Sequence, residues 1–402
     1  MQKGGPPRRT AGAFMENLQK NVLSLCKCNK NVGQRVFFDK ETLQFPRKYG
    51  TLKMRKRLLW LKGGRRMVSL KDIAERCEVS VATVSKALNG QLGISEGTRE
   101  RVLSAAKEMG YTANAMARAL KTNRTYNIGV LFEDLQNSGF MHEYFASMIN
   151  SFRTEAERCG YDITFINGDF GPTGASYLQH ARYRRVEGVA IICADFLDPQ
   201  VQELVYSDIP VVTLDHAYDD RMAVLSDNMN GIEELVRYAY SRGHRRIAYI
   251  HGNPTAVTER RVRGFYRACE ELGLELPEGY VGSCEYHEPV GCYEATKKLL
   301  ALPQRPSCIL FSDDYACIGG INAIAEATLR IPEDISVIGY DGIHLNRVVS
   351  PRLTTWQQNT VELGRAAAAG LIERIEHPRT TLPEHLVIHG SLYEGESVGQ
   401  LT

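Results

Sequence analysis

The chain has 402 residues, of which 43% are hydrophobic, and a formal net charge of +2, a length sufficient for two or three domains with sizeable cores. No apolar run approaches the roughly 18 residues of a membrane span and no charged-then-apolar leader opens the chain, so a helical membrane protein is excluded and a cytoplasmic location is expected. The near-neutral balance hides an asymmetry: residues 1–66 hold 17 Lys and Arg against Glu16, Asp39 and Glu41, a charge of +14, which leaves −12 for the remainder.

Residues 1–66 show no sustained helical or alternating period and read as an unstructured basic extension. They could serve as an arm adding sequence-independent affinity for nucleic acid. The favoured expectation is a misassigned start. Lys62-Gly63-Gly64-Arg65-Arg66, directly before Met67, is what a purine-rich ribosome-binding site gives when translated in frame. The intact mass of native protein distinguishes the two.

The first strong pattern lies between Ser69 and Asn89. Ser69, followed three residues later by Asp72, is a capping signal for a short helix that buries Ile73 and Ala74, and the small Ala74 lets a second helix cross closely. Glu78 and Val79 make the turn. Ser80 then caps a helix with Val84, Ala87 and Leu88 on its apolar side, leaving Val81, Ala82, Thr83, Ser85 and Lys86 on or near the other. That face is short and rich in hydroxyls: small residues let the backbone approach bases, and Lys86 can reach a guanine edge or a phosphate. A third helix is expected from the Ser95 cap through Val102, Leu103, Ala106 and Met109 to Gly110. The bland alternative is a helical bundle without a ligand; the coincidence of caps, Ala74 and surface chemistry favours a DNA-binding helix-turn-helix over residues 67–112.

These residues resemble the LacI/GalR family of bacterial transcriptional regulators. The resemblance continues through Tyr111 to Leu120, Ile128-Gly129-Val130, Arg242 to Ile247, Arg261 to Phe265 and Ile335 to Asp341, and so spans most of residues 67–395. It implies DNA contacts by Leu70, Ser80, Val81, Ala82, Thr83, Ser85, Lys86, Asn89 and Tyr111. It also implies a hinge over residues 113–126, in which Asn114, Ala117, Arg118, Leu120 and Lys121 meet DNA. Two helical turns are too short to hold alone, so this hinge should order only on DNA beside its twin. Leu120 matches the family's minor-groove wedge, with packing of Leu120 on the body as the alternative. Ala113 stands where the family usually has proline.

From Tyr126 the pattern becomes short apolar strands alternating with helices: 128–132, 163–166, 189–193, 211–214, 247–251, 308–311 and 337–340. This α/β alternation implies parallel sheets covered on both faces, with ligands at the carboxyl ends of the strands. The resemblance implies a two-lobed body like the periplasmic sugar-binding proteins over residues 127–395, a tail at 396–402, and crossovers near Gly243 and Trp356. It marks Arg261 as an effector-gripping arginine and Asp314 as an acceptor for sugar hydroxyls or a base, with an ion pair between the two, or of either with a helix end, as the alternative. Tyr286 matches a frequent family aromatic. It and Phe140, which follows the first strand, could be stacking walls or core. Asp341 could assist, with a structural role favoured.

Residues 67–126 carry +3 and the rest −15, so only the head is suited to phosphates. Ten cysteines are scattered and only Cys26 and Cys28 sit close, so reduced thiols and no metal are expected. Neither a phosphate loop, a metal-spaced histidine pair nor a nucleophile elbow is present, so no enzyme and no cofactor are expected. The expectation is a repressor that binds a palindromic operator as a homodimer under a small-molecule effector, a carbohydrate by default. The rivals are a periplasmic-type binding protein, which the head argues against, and a global regulator of the same family controlled by a purine or a phosphoprotein partner. The absence of a heptad tail favours a dimer over a tetramer.

Overall fold

The computed structural model describes residues 68–111, 119, 123–133, 141–172 and 174–401. The start at Met67, the hinge contacts at Asn114, Ala117, Arg118, Leu120 and Lys121, and the aromatic wall at Phe140 lie outside the described residues. The chain divides into two units on either side of residue 113.

The described residues of the first unit form a three-helix head: α1 (Leu70–Cys77), α2 (Val81–Leu88) and α3 (Glu96–Met109). Ser69 and Asp72 form a reciprocal capping box, and Glu78 ends α1 in the left-handed region at φ 53°. Ile73, Ala74, Cys77, Val84, Ala87, Val102, Ala105 and Ala106 make its core. Leu103, expected on the apolar side of α3, is 44% exposed. Ala105 occupies the inward position instead.

The described residues of the second unit hold twelve strands in two six-stranded sheets. Lobe 1 contains β1 (Asn127–Phe132), α4 (Glu143–Arg158), β2 (Asp162–Ile166), α5 (Tyr177–Arg184), β3 (Gly188–Cys193), α6 (Pro199–Val205), β4 (Val211–Leu214) and β5 (Met222–Ser226). Lobe 2 contains α7 (Asn228–Ser241), β6 (Ile247–His251), α8 (Ala256–Glu271), β7 (Val281–Ser283), α9 (Pro289–Leu300), β8 (Cys308–Phe311), α10 (Asp314–Glu326), β9 (Ser336–Asp341) and β10 (Thr354–Gln357). The chain returns to lobe 1 for α11 (Thr360–Glu376) and β11 (His385–Ile388), then ends in lobe 2 with β12 (Ser391–Tyr393). The strand orders are β11-β5-β4-β3-β1-β2 and β12-β10-β9-β8-β6-β7. Every pairing is parallel except β10 with β12. Buried Val, Ile and Leu fill both faces of each sheet, the reason these strands read as continuous apolar runs.

Three passages join the lobes: between Ser226 and Asn228, after Gln357, and between Ile388 and Ser391. The second matches the expected crossover near Trp356. The crossover expected near Gly243 is corrected to Asp227, one helix earlier, because α7 already packs on the lobe 2 sheet through Ile232, Leu235 and Val236. The expected tail is also corrected. Residues 396–401 belong to lobe 2: Val337 N–H donates to Ser397 O (3.0 Å), Leu401 N–H donates to Arg242 O (2.8 Å), and Val398 is buried.

This closing segment covers His244, which is 1% exposed and whose Nδ1 lies 3.0 Å from Ser307 Oγ. Burial, reinforced by Arg242 and Arg245 and resisted by the Gly399 backbone, pushes its pKa down to about 4 from 6.5. The unfolded chain therefore binds the proton first, and stability is lost as pH falls from about 6.5 to about 4, by about 3 kcal/mol in all. Buried Asp341, raised to about 7, titrates with the opposite sign over that range. The His244 contribution is thus read as a difference in urea midpoints: His244→Gln is expected to lose less stability than wild type between pH 6.5 and 4.5, and equal losses count against it.

Candidate DNA-reading head and effector cleft

In the head, Thr83 N–H donates to Ser80 Oγ (3.0 Å) and the two hydroxyls are 2.8 Å apart, which fixes the start of α2. Asn89 Nδ2 donates to Ser85 O (2.7 Å) and closes its end. Val81, Ala82 and Lys86 are exposed, and Thr83 and Ser85 half-buried. Leu70 and Tyr111 pack against the head core. The surface left at the first turns of α2 is small, partly hydroxylated and cationic, with backbone amides at a helix N-terminus.

In the body, the strand order reverses between β1 and β3 and again between β6 and β8, and in such sheets ligands lie outside the carboxyl ends of the strands at these points. The two lobes meet there. Glu143, at the start of α4, accepts the His344 N–H at 2.9 Å on each oxygen. The rings of His142 and His287 are 3.7 Å apart, and His142 also meets Tyr315 at 5.0 Å.

Arg261 lies in the second turn of α8 and is 3% exposed. Its Nε donates to Asn228 Oδ1 and its Nη1 to Ser312 O, both at 2.8 Å, while the guanidinium lies 3.6 Å from the Tyr340 ring centroid. Burial works against this charge, but Tyr340, Tyr286 and Asp341 outweigh it and keep the group protonated. Tyr286 is 5.9 Å away by the same measure and its hydroxyl lies 2.8 Å from Thr258 Oγ1. Gly252 is required beside it, since a Cβ there would overlap the Tyr286 ring.

The aspartates divide the work. Asp314 is buried: its Oδ2 accepts the N–H groups of Gly342 (2.8 Å) and Ile343 (3.0 Å), and its Oδ1 the Thr355 hydroxyl (2.8 Å). Burial, and then Asp341, raise it well above the carboxylate range. Its bonds fasten the turn after β9, and the alternative of an ion pair with Arg261 is replaced by separate partners for each. Asp313, overlooked in the sequence, accepts the His287 N–H (3.0 Å) and Ala316 N–H (2.8 Å) and faces His287 Nδ1 at 3.5 Å. Burial opposes its ionisation, yet the His287 side chain and these amides hold it down at about 2. Asp341 ends β9 at φ 108°, a region L-residues rarely adopt. It is 6% exposed and accepts from Gln358 Nε2 at 2.7 Å. Burial raises its pKa against the pull of Arg261.

On the lobe 1 side, Asp215 follows β4, accepts Tyr144 OH (3.0 Å) and Ser226 N–H (2.7 Å), and lies 3.3 Å from Asn228 Nδ2. Asn228 thus ties Asp215 of one lobe to Arg261 of the other. Sequence reasoning missed Asn228, Asp215, His142 and His287. The available signal was that ligands lie past the carboxyl ends of the strands, where Asp215, Asn228 and His287 follow β4, β5 and β7.

A helix-turn-helix head followed by a two-lobed body with a polar seam defines a ligand-responsive DNA-binding regulator. Family models agree for both parts: residues 69–114 match the bacterial regulatory proteins of the lacI family, and residues 236–398 a periplasmic binding protein-like domain. The HTH-type transcriptional repressor PurR of Mannheimia succiniciproducens is 32% identical over 340 residues, covering 83% of this chain and all of that protein. PurR of Escherichia coli O139:H28 is 33% identical over 338 residues, 83% of this chain and 97% of that one. Among solved structures, the transcriptional regulator CelR in complex with cellobiose has a TM-score of 0.61 at 25% identity, covering 82% of this chain and 99% of CelR. The Lac repressor dimer bound to operator and the anti-inducer ONPF has a TM-score of 0.69 at 22% identity, over 83% and 99%, a likeness of fold. The chain belongs to the LacI family, and it is a DNA-binding transcriptional repressor, not an enzyme. Among the described residues no helix is long and apolar enough to cross a membrane.

Proposed function

We propose that this chain represses transcription as a homodimer on a palindromic operator, and that a small hydroxylated ligand, a carbohydrate, controls it by binding between the lobes. Each head lays the first turns of α2 against base edges, with Val81 and Ala82 close to the bases and Lys86 on a guanine edge or phosphate. Asn114, Ala117, Arg118, Leu120 and Lys121 form paired hinges at the operator centre, with Leu120 as the wedge. The ligand acts by binding one arrangement of the lobes better than the other.

The observation that carries the ligand reading is Arg261, a buried cation held by Asn228 and Ser312 over Tyr340 at the seam, beside acceptors at Asp313 and Asp341. Charged donors and acceptors converging on one cleft suit vicinal hydroxyls. The cellobiose complex of the related CelR supports the same class. A planar nitrogen heterocycle is the second reading, favoured by the Tyr286 ring beside Arg261.

The test is operator selection from random duplexes at physiological salt, followed by anisotropy titrations with sugars, sugar phosphates and purines. A preferred two-fold sequence is expected, with a sugar shifting affinity by about 10-fold or more. A shift by purines alone supports the second reading. The absence of any preferred duplex overturns both.

A further inference from the structure

The inter-lobe seam contains two histidines, His142 and His287, that the readings of operator binding and carbohydrate recognition above leave unused, and they lie beside Asp341. His142, just before α4 in lobe 1, meets His287 and Asp341 of lobe 2, and one ligating atom from each lies within 4.8 Å of the others. His142 is 2% exposed, Asp341 6%, and the His287 side chain 11%. We propose that these three residues bind a divalent transition-metal ion, with Zn²⁺ the best match, and that the ion bridges the two lobes in the closed arrangement. Its regulatory consequence rests on the cleft reading given above; the binding itself does not.

Two imidazoles and one carboxylate select a borderline transition metal over Mg²⁺ or Ca²⁺, which take oxygen ligands. Three protein ligands also leave a coordination position that a ligand hydroxyl or carboxylate can fill. The surrounding groups are those that orient metal ligands. Asp313 faces His287 Nδ1 and accepts its backbone N–H, and is itself held by the Ala316 amide and the Ser312 hydroxyl. Gln358 holds one oxygen of Asp341 at 2.7 Å, which leaves the other for the ion. The left-handed backbone of Asp341 is an unfavourable conformation of the kind kept where a side chain must be aimed. A tetrahedral Zn²⁺ holds its ligand atoms about 3.4 Å apart, so the three arms must draw in by about an ångström or less.

Because His142 belongs to one lobe and its partners to the other, the ion would bind the closed arrangement more tightly and shift the population toward it. The sequence conceals the group, since its members lie far apart in the chain and only the two folded sheets bring their strand ends together.

The test uses the full chain stripped with EDTA and titrated by calorimetry with Zn²⁺, Ni²⁺, Mg²⁺ and Ca²⁺, with X-ray absorption on the Zn²⁺-loaded form. The expected result is one Zn²⁺ per chain in a nitrogen and oxygen shell without sulfur, with no binding of Mg²⁺ or Ca²⁺. His142→Ala and His287→Ala should each weaken Zn²⁺ binding at least 10-fold while retaining the wild-type circular dichroism and operator affinity in EDTA. His142→Gln guards against a packing defect and should lose the metal equally. No stoichiometric Zn²⁺ binding, a sulfur shell, or binding that survives both histidine variants overturns the proposal. A sugar response undiminished in EDTA by metal-free protein leaves the carbohydrate reading standing without the bridge. Zn²⁺ bound as expected with no sugar response overturns the carbohydrate reading alone.

Discussion

Replacing Arg261 with alanine is expected to abolish the effector response and to destabilise the body by about 3 kcal/mol, the lower end of what breaking a buried charged network costs. The guanidinium is a shared partner: Asn228 Oδ1, Ser312 O and the Tyr340 face all lose it at once, and Asp341 loses the cation that offsets its burial. Two charge-assisted hydrogen bonds and a desolvated cation–π contact are each worth more than their exposed equivalents. Arg261→Lys keeps the charge but not the planar fork, so it should recover part of the stability and none of the response. Urea unfolding followed through Trp356, buried in the lobe 2 core, measures the first effect, and operator anisotropy with and without ligand the second. Full ligand response in Arg261→Ala would remove Arg261 from the effector site.

Asp314 differs from Arg261 in how much of its role is legible in the sequence. The family resemblance marks Arg261 and Asp314 alike as effector contacts. The fold keeps both at the seam, but turns Asp314 onto the amides of Gly342 and Ile343 and presents its neighbour Asp313 to His287. A one-residue choice of this kind depends on the helix cap: Asp313 is the N-cap of α10 and Asp314 its first residue, so their carboxylates leave in different directions.

Strand identity follows a similar rule. The seven mainly apolar strands β1, β2, β3, β4, β6, β8 and β9 are legible and β7, β10, β11 and β12 are not, while β5 (Met222–Ser226) is equally apolar and was missed without such a reason. β7, β11 and β12 are short edge strands with exposed or half-buried positions, and β10 is the threonine-rich Thr354–Gln357. The first and third crossovers escaped for a related reason, whereas the second, near Trp356, was legible. A passage between sheets needs only two or three residues, and at Asp227 nothing in composition distinguishes it from a helix cap. The head was more legible than the body, because caps and i, i+4 spacing are local and carry most of its specification.

Ala74→Leu is expected to abolish specific operator binding while leaving the body's thermal transition unchanged. Ala74 is 5% exposed and lies in the head core with Val84 and Ala87 of α2 and Val102 and Ala106 of α3. Its carbonyl also accepts the Val79 N–H at 3.1 Å, so α1 cannot move away without opening the turn. Three added carbons in a packed core cost about 1–3 kcal/mol. A large domain absorbs that, but residues 68–111 form a separate small core, and cores of that size supply no more than about 3–5 kcal/mol in total. Even if the head stays folded, an outward shift of α2 re-aims Val81, Ala82 and Lys86 relative to the groove. Ala74→Gly separates the two effects: it costs about 1 kcal/mol of helix propensity without pushing α2 away, so it should keep the wild-type operator preference at somewhat reduced affinity. Wild-type operator affinity in Ala74→Leu would mean that the close crossing of α1 and α2 does not set the position of the reading helix.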